Sequence, residues 1–133
     1  MKNELSKIFH STRFALRGLC HAYRSDKSFR MEINYGIPAY LAIGWYFAPL
    51  SHWEALILIF SYLLILIVEL INTTFETMID HLHPHEHATV GKSKDIASAA
   101  VFVAFLFAFL VAGTLLCVRL SHHVDGLADW PFV

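Results

Sequence analysis

Three carboxylates and an amide fall at positions where they can act together. In the unbroken stretch from Val68 to Asp80 they are Glu69, Asn72, Glu76 and Asp80. Wound as a helix at 100° per residue, these positions sit at about 0°, −60°, −20° and +20°, a single stripe. The stripe begins inside the apolar run Ala55 to Val68 and climbs out of it. An acid within such a run is costly and by default marks a functional site facing protein or water. A desolvated carboxylate like Glu69 suits proton abstraction, and a wetter one like Glu76 suits holding a cation. The bland alternative for Glu69 is a satisfied polar residue tying helices together.

A second polar group, Lys94-Asp95, opens the last apolar run. Placed at the N-terminus of that helix, it would combine a point charge with free backbone N–H groups and the positive end of the dipole, which favours phosphate. Glu76, with Asp26 from a polar hinge, offers the hard oxygens that Mg²⁺ prefers while it bridges phosphates. Together these parts suit phosphoryl transfer from MgATP to a membrane alcohol, a reaction that depends on positioning and charge neutralisation.

The rest of the chain must position these groups. At 133 residues there is room for one domain, and 56% of them are hydrophobic, more than soluble domains carry. Three long apolar runs hold the excess, predicting an all-α integral membrane protein. Residues 1–24 read as an amphipathic helix on the membrane surface. Its apolar positions include Leu5, Ile8, Phe9, Leu16, Leu19 and Tyr23, and Lys7, Arg13, Arg17 and Arg24 lie on another face. Ser25-Asp26-Lys27-Ser28 reads as the hinge. The spans are expected at about Ile33 to Leu50, from Glu54 or Ala55 to Thr74 or Phe75, and Ile96 to Val118. A polar loop over residues 81–95 separates the last two. The corresponding divisions are 1–28 surface helix and hinge, 29–120 three-helix transmembrane domain, and 121–133 extracytoplasmic tail, to which no role is assigned. Ala100, Ala104, Ala108 and Ala112 give the last span a smooth face for close helix contact. Cys20 and Cys117 are expected at opposite ends of the fold, so no disulfide is predicted.

Nine of the ten basic residues precede the first span or lie between the second and third; Arg119 is the exception. The positive-inside rule therefore puts the N-terminus and the 81–95 loop in the cytoplasm and the C-terminus outside. The acidic stripe then opens onto the compartment that holds ATP. The histidines at 81, 83, 85 and 87 are interrupted by Pro84 and lack i, i+4 spacing, so a solvated loop outranks a dedicated metal site.

The run Glu69-Leu-Ile-Asn72-Thr-Thr-Phe-Glu76, then His87, then Lys94-Asp95-Ile-Ala-Ser98-Ala-Ala-Val101, closely resembles the prokaryotic diacylglycerol kinase family. Arg17-Gly18-Leu19 and Phe29-Arg30-Met31-Glu32 fit it too, and the likeness spans about Lys7 to Leu120. The resemblance implies a homotrimer in the bacterial cytoplasmic membrane, with one surface helix and three membrane helices per subunit and composite sites between subunits. It implies Glu69 as the catalytic base and Asp26 and Glu76 as ligands of the Mg²⁺ that accompanies ATP. Lys7, Phe14, Asp26, Glu76, Glu86, His87, Lys94 and Asp95 would contact the nucleotide, and Glu32, Asn72 and Ser98 the lipid substrate and phosphate path. The family usually has glutamate where this chain has Asp26, tyrosine where it has Phe14, and a Glu-Tyr-His-type run where it has His85-Glu86-His87. The expected reaction converts diacylglycerol to phosphatidic acid, with ATP, a membrane lipid and other copies of the chain as partners and no nucleic acid. Undecaprenol is the alternative alcohol. A proton-coupled transporter subunit is the rival of another class; it would want its acid near mid-membrane and open to both faces.

Overall fold

The structure, a computed structural model, describes residues 2–83 and 88–124. Every regular element among them is helical: α1 (Lys2–Ser25), α2 (Lys27–Met31), a π-helical turn (Glu32–Gly36), α3 (Ile37–Tyr46), α4 (His52–Leu82) and α5 (Ala88–Val124). The hinge expected over Ser25 to Ser28 contracts to Asp26 alone. Asp26 is extended, and its side chain accepts from the Phe29 N–H, the geometry of an N-cap that restarts the helix at once. From α2, Arg30 Nη1 reaches back to the carbonyls of Tyr23 (3.4 Å) and Arg24 (3.2 Å), covering groups that the end of α1 leaves open.

The expected first span is shorter at its far end and interrupted near its start. The helix stops at Tyr46 rather than running to Leu50, and the wide turn at Glu32–Gly36 sits where a continuous helix was expected. α4 begins with a capping box: the Glu54 N–H donates to Ser51 Oγ, and the Ser51 N–H donates to Glu54 Oε2 at 2.7 Å. It then runs unbroken through the acidic stripe to Leu82.

The start of α5 corrects the sequence reading. The polar composition around Gly91 predicts a loop, yet the helix begins at Ala88, so Lys94 and Asp95 lie well inside it. One glycine costs a helix only about 1 kcal/mol. A semi-buried stripe through Val90, Lys94, Ala97, Val101, Ala104, Ala108, Val111 and Leu115 carries the helical period past it. Backbone N–H groups this far in are already bonded within the helix, so Lys94 and Asp95 offer no free N–H for phosphate.

α4 and α5 run antiparallel and hold the core. Ile65 packs on Ala104 and Ala108, as the alanine row implied, and Leu58 packs with Val111, Leu115 and Phe47. At the end away from the acidic stripe, Arg119 donates to the Pro49 carbonyl (2.8 Å) and to Glu54 Oε2 (3.2 Å), tying α5 to the α3–α4 turn. Among the described residues two helices, within His52–Leu82 and Thr89–Ser121, are long and apolar enough to cross a membrane. Only 22% and 17% of their apolar windows is buried within the chain, unlike the core helix of a soluble protein. Trp45, Trp53, Phe102 and Phe109 are all more than two-thirds exposed (69–86%), a surface that needs lipid or protein against it.

Candidate active site

The stripe on α4 faces α2, the π-helical turn and the N-terminal half of α5. Between them lies an open cavity of about 540 Å³ lined by Asp26, Glu32, Glu69, Asn72, Glu76 and Ser98, with Ser28, Met31, Tyr35, Gly36, Val101 and Phe105 completing the wall. Glu69 is buried, at 3% exposure, although most of its helix is open. Asn72 donates its Nδ2 to Glu76 Oε1 at 3.1 Å, which turns the amide oxygen the other way. Among the described residues, the buried side-chain atoms lacking a partner include that Asn72 Oδ1 and Glu32 Oε2. Two orphaned acceptors in one cavity are the mark of a place that a ligand or water completes.

Glu32 precedes the first apolar run. Burial, and then the negative charges of Glu69 and Asp26, push its carboxyl up to about 7. Its backbone is held from α4: the Tyr62 hydroxyl donates to the Glu32 carbonyl at 2.8 Å. The Tyr62 ring lies against Gly36, where a Cβ would come within 3.0 Å of it. Asp26 has both oxygens engaged, Oδ1 by the Phe29 N–H at 2.9 Å and Oδ2 by Thr73 Oγ1 at 2.8 Å.

Six of the residues singled out from sequence therefore meet in one cavity: Asp26, Glu32, Glu69, Asn72, Glu76 and Ser98. Four others stand elsewhere on the chain. Lys94 forms an ion pair with Asp80 at the outer end of the stripe. Asp95 is exposed. Lys7 is exposed and paired with Glu4 at 3.2 Å, and Phe14 is exposed between His10 and Arg17 on α1. Glu86 and His87 lie outside the described residues. Sequence reasoning missed Ser28, Tyr62 and Thr73. Thr73 had a usable signal, since it stands about 40° from Glu69 on the helical wheel. Tyr62 had none, because its role depends on a π-helical turn thirty residues earlier.

The carboxylates of Asp26, Glu32, Glu69 and Glu76, with no histidine or cysteine beside them in the lining, suit Mg²⁺ better than a transition metal. Among the described residues no three histidine, cysteine or carboxylate side chains are grouped tightly enough to hold a metal ion by themselves.

Comparison with known proteins agrees. Residues 13–116 match the family model described as prokaryotic diacylglycerol kinase. The chain belongs to the prokaryotic diacylglycerol kinase family. It is 31% identical to a diacylglycerol kinase of Haemophilus influenzae over 84% of this chain and 93% of that protein. A diacylglycerol kinase of Pseudomonas aeruginosa is 30% identical over 84% of this chain and 89% of that protein. One from Escherichia coli is 28% identical over 89% and 92%. With the membership goes the enzyme class, a diacylglycerol kinase of membranes.

Proposed function

We propose that this chain transfers the γ-phosphate of ATP to the free hydroxyl of diacylglycerol at the cytoplasmic face of a bacterial inner membrane, with Glu69 as general base. The observation that carries the reading is a buried acid sharing one cavity with Asp26, Glu32, Asn72, Glu76 and Ser98, two of which hold unpartnered acceptors. In the step itself the lipid hydroxyl oxygen bonds to Pγ and its proton passes to the Glu69 carboxylate. The bond from Pγ to the bridging oxygen of ADP breaks, and that oxygen leaves with the electron pair. Asn72, fixed through Glu76, and Ser98 across the cavity would orient the hydroxyl and the moving phosphoryl group. Mg²⁺, when bound with the nucleotide, would neutralise charge on its phosphates, with Glu76 and one face of Asp26 as protein ligands. Asp26 would give that ion a lone pair not used by Phe29 or Thr73.

Several copies acting together, three by the family pattern, account for features that one chain leaves open. Lys7, Phe14 and Lys94 lie away from their own chain's cavity, so a neighbouring copy would supply the nucleotide contacts. The uncovered apolar faces of α4 and α5 would meet that neighbour and the lipid. Three membrane-crossing segments, the first running from about Ile33 through α3, a surface-bound α1 and a cytoplasmic N-terminus complete the proposed arrangement.

The test is lipid phosphorylation by purified protein in mixed micelles, with MgATP and either diacylglycerol or undecaprenol. Glu69→Gln is expected to keep its fold and lose turnover by about 10²–10⁴, the usual contribution of a positioned base. Full activity in that variant would remove Glu69 from its role, and turnover of undecaprenol alone would reassign the alcohol.

A further inference from the structure

Thr73 occupies the next turn of α4 after Glu69. Its Oγ1 lies 2.9 Å from the Glu69 carbonyl oxygen and 2.8 Å from Asp26 Oδ2. A hydroxyl has one proton, so these two acceptors share it. Four other threonines do less: Thr12, Thr74, Thr77 and Thr114 each bond to the carbonyl four residues earlier in their own helix. The second contact of Thr73 crosses to the one extended residue between α1 and α2, whose other oxygen holds the Phe29 N–H. That first turn of α2 matters to the cavity, since Asp26, Ser28 and then Glu32 form its wall opposite Glu69. The other ties include a Ser28 hydrogen bond to the Glu69 side chain, the buried Phe29 side chain and the Tyr62 bond to Glu32, and none of these fixes the Asp26 carboxylate.

We propose that Thr73 is a positioning residue for phosphoryl transfer, latching Asp26 and the first turn of α2 to the helix that carries Glu69. A neutral hydroxyl suits the task. It satisfies one carboxylate oxygen without bringing in a cation that would compete with a bound metal ion. The inference rests on the proposed function for its kinetic consequence and on geometry alone for its mechanical one.

The experiment compares full-length wild type, Thr73→Ser, Thr73→Val and Thr74→Val in lipid. Thr74→Val removes a back-bond of the same kind that reaches no other helix. Two quantities are read: kcat and its Mg²⁺ dependence with ATP and diacylglycerol, and amide hydrogen exchange over residues 27–30. Thr73→Val should lower kcat and speed exchange at Phe29 by about tenfold each, the effect of losing one charge-assisted hydrogen bond. It should also raise the Mg²⁺ concentration needed for half-maximal rate. Thr73→Ser, which keeps the hydroxyl, should restore both, and Thr74→Val should match wild type. The latch is refuted if Thr73→Val matches Thr74→Val in exchange, or if serine fails to rescue. Faster exchange with an unchanged rate refutes the positioning role. If the valine variant does not fold, Thr73→Ala is read in the same way. Absence of any lipid phosphorylation by wild type would overturn the proposed function instead, and exchange would still judge the latch.

Discussion

Gly36 ends the π-helical turn, and alanine there would press on Tyr62. Its Cβ would stand 3.0 Å from Cε2, 3.1 Å from Oη and 3.4 Å from Cζ of that ring. The ring has little room to retreat. Its centroid is 4.6 Å from that of Tyr40, and its hydroxyl is committed to the Glu32 carbonyl at 2.8 Å. Alanine gains about 0.5–1 kcal/mol over glycine in a helix. Against that stand about 1–3 kcal/mol for overpacking and about 1 kcal/mol for a displaced tyrosine hydrogen bond. The expected net is a destabilisation of about 1–3 kcal/mol. The assay is denaturant unfolding in micelles of Gly36→Ala, Tyr62→Phe and the double variant. Without its hydroxyl the ring is free to swing, so Gly36→Ala should cost about 1 kcal/mol less on the Tyr62→Phe background. Gly36→Ala at or above wild-type stability, or an equal cost on both backgrounds, would refute the reasoning. Because Glu32 is held by the same tyrosine, the single variant should also turn over more slowly.

Two further outcomes are expected. Glu32 binds its proton more tightly folded than unfolded, its carboxyl being raised from 4.5 to about 7, so wild-type stability should fall as pH rises across that window. Glu32→Gln should flatten this slope in thermal unfolding, and identical slopes would dismiss burial of that carboxyl as the cause. Arg119→Met should lower stability by about 1 kcal/mol, since its pair with Glu54 is partly exposed, while leaving turnover per folded molecule unchanged. Activity lost with stability intact would place that end of the bundle in the reaction.

Helical period and polarity made much of this protein legible. The stripe from Glu69 to Asp80 needed only 3.6 residues per turn, because α4 has no breaker and its packing did not alter it. Ala104 and Ala108 could be placed at a helix contact for the same reason. Element edges were harder. Gly91 read as a loop residue because propensity is local, whereas the start of α5 is set by a stripe that continues to bury against α4. Asp26 illustrates both sides: its hinge position was visible, but its cap on Phe29 and its bond to Thr73 were not.

The sequence by itself determined which residues share a helix face, that long apolar helices dominate, and that an acid is embedded among them. Those follow from covalent order and a fixed helical repeat. Only the tertiary structure decided that Asp26, Glu32 and Ser98 meet Glu69, that Lys94 turns to Asp80, and that Tyr62 and Thr73 hold the opposing wall. Contacts between helices depend on the angle, register and local winding at which the rods pack. A single π-helical turn changes all three without leaving a mark in the hydrophobic pattern.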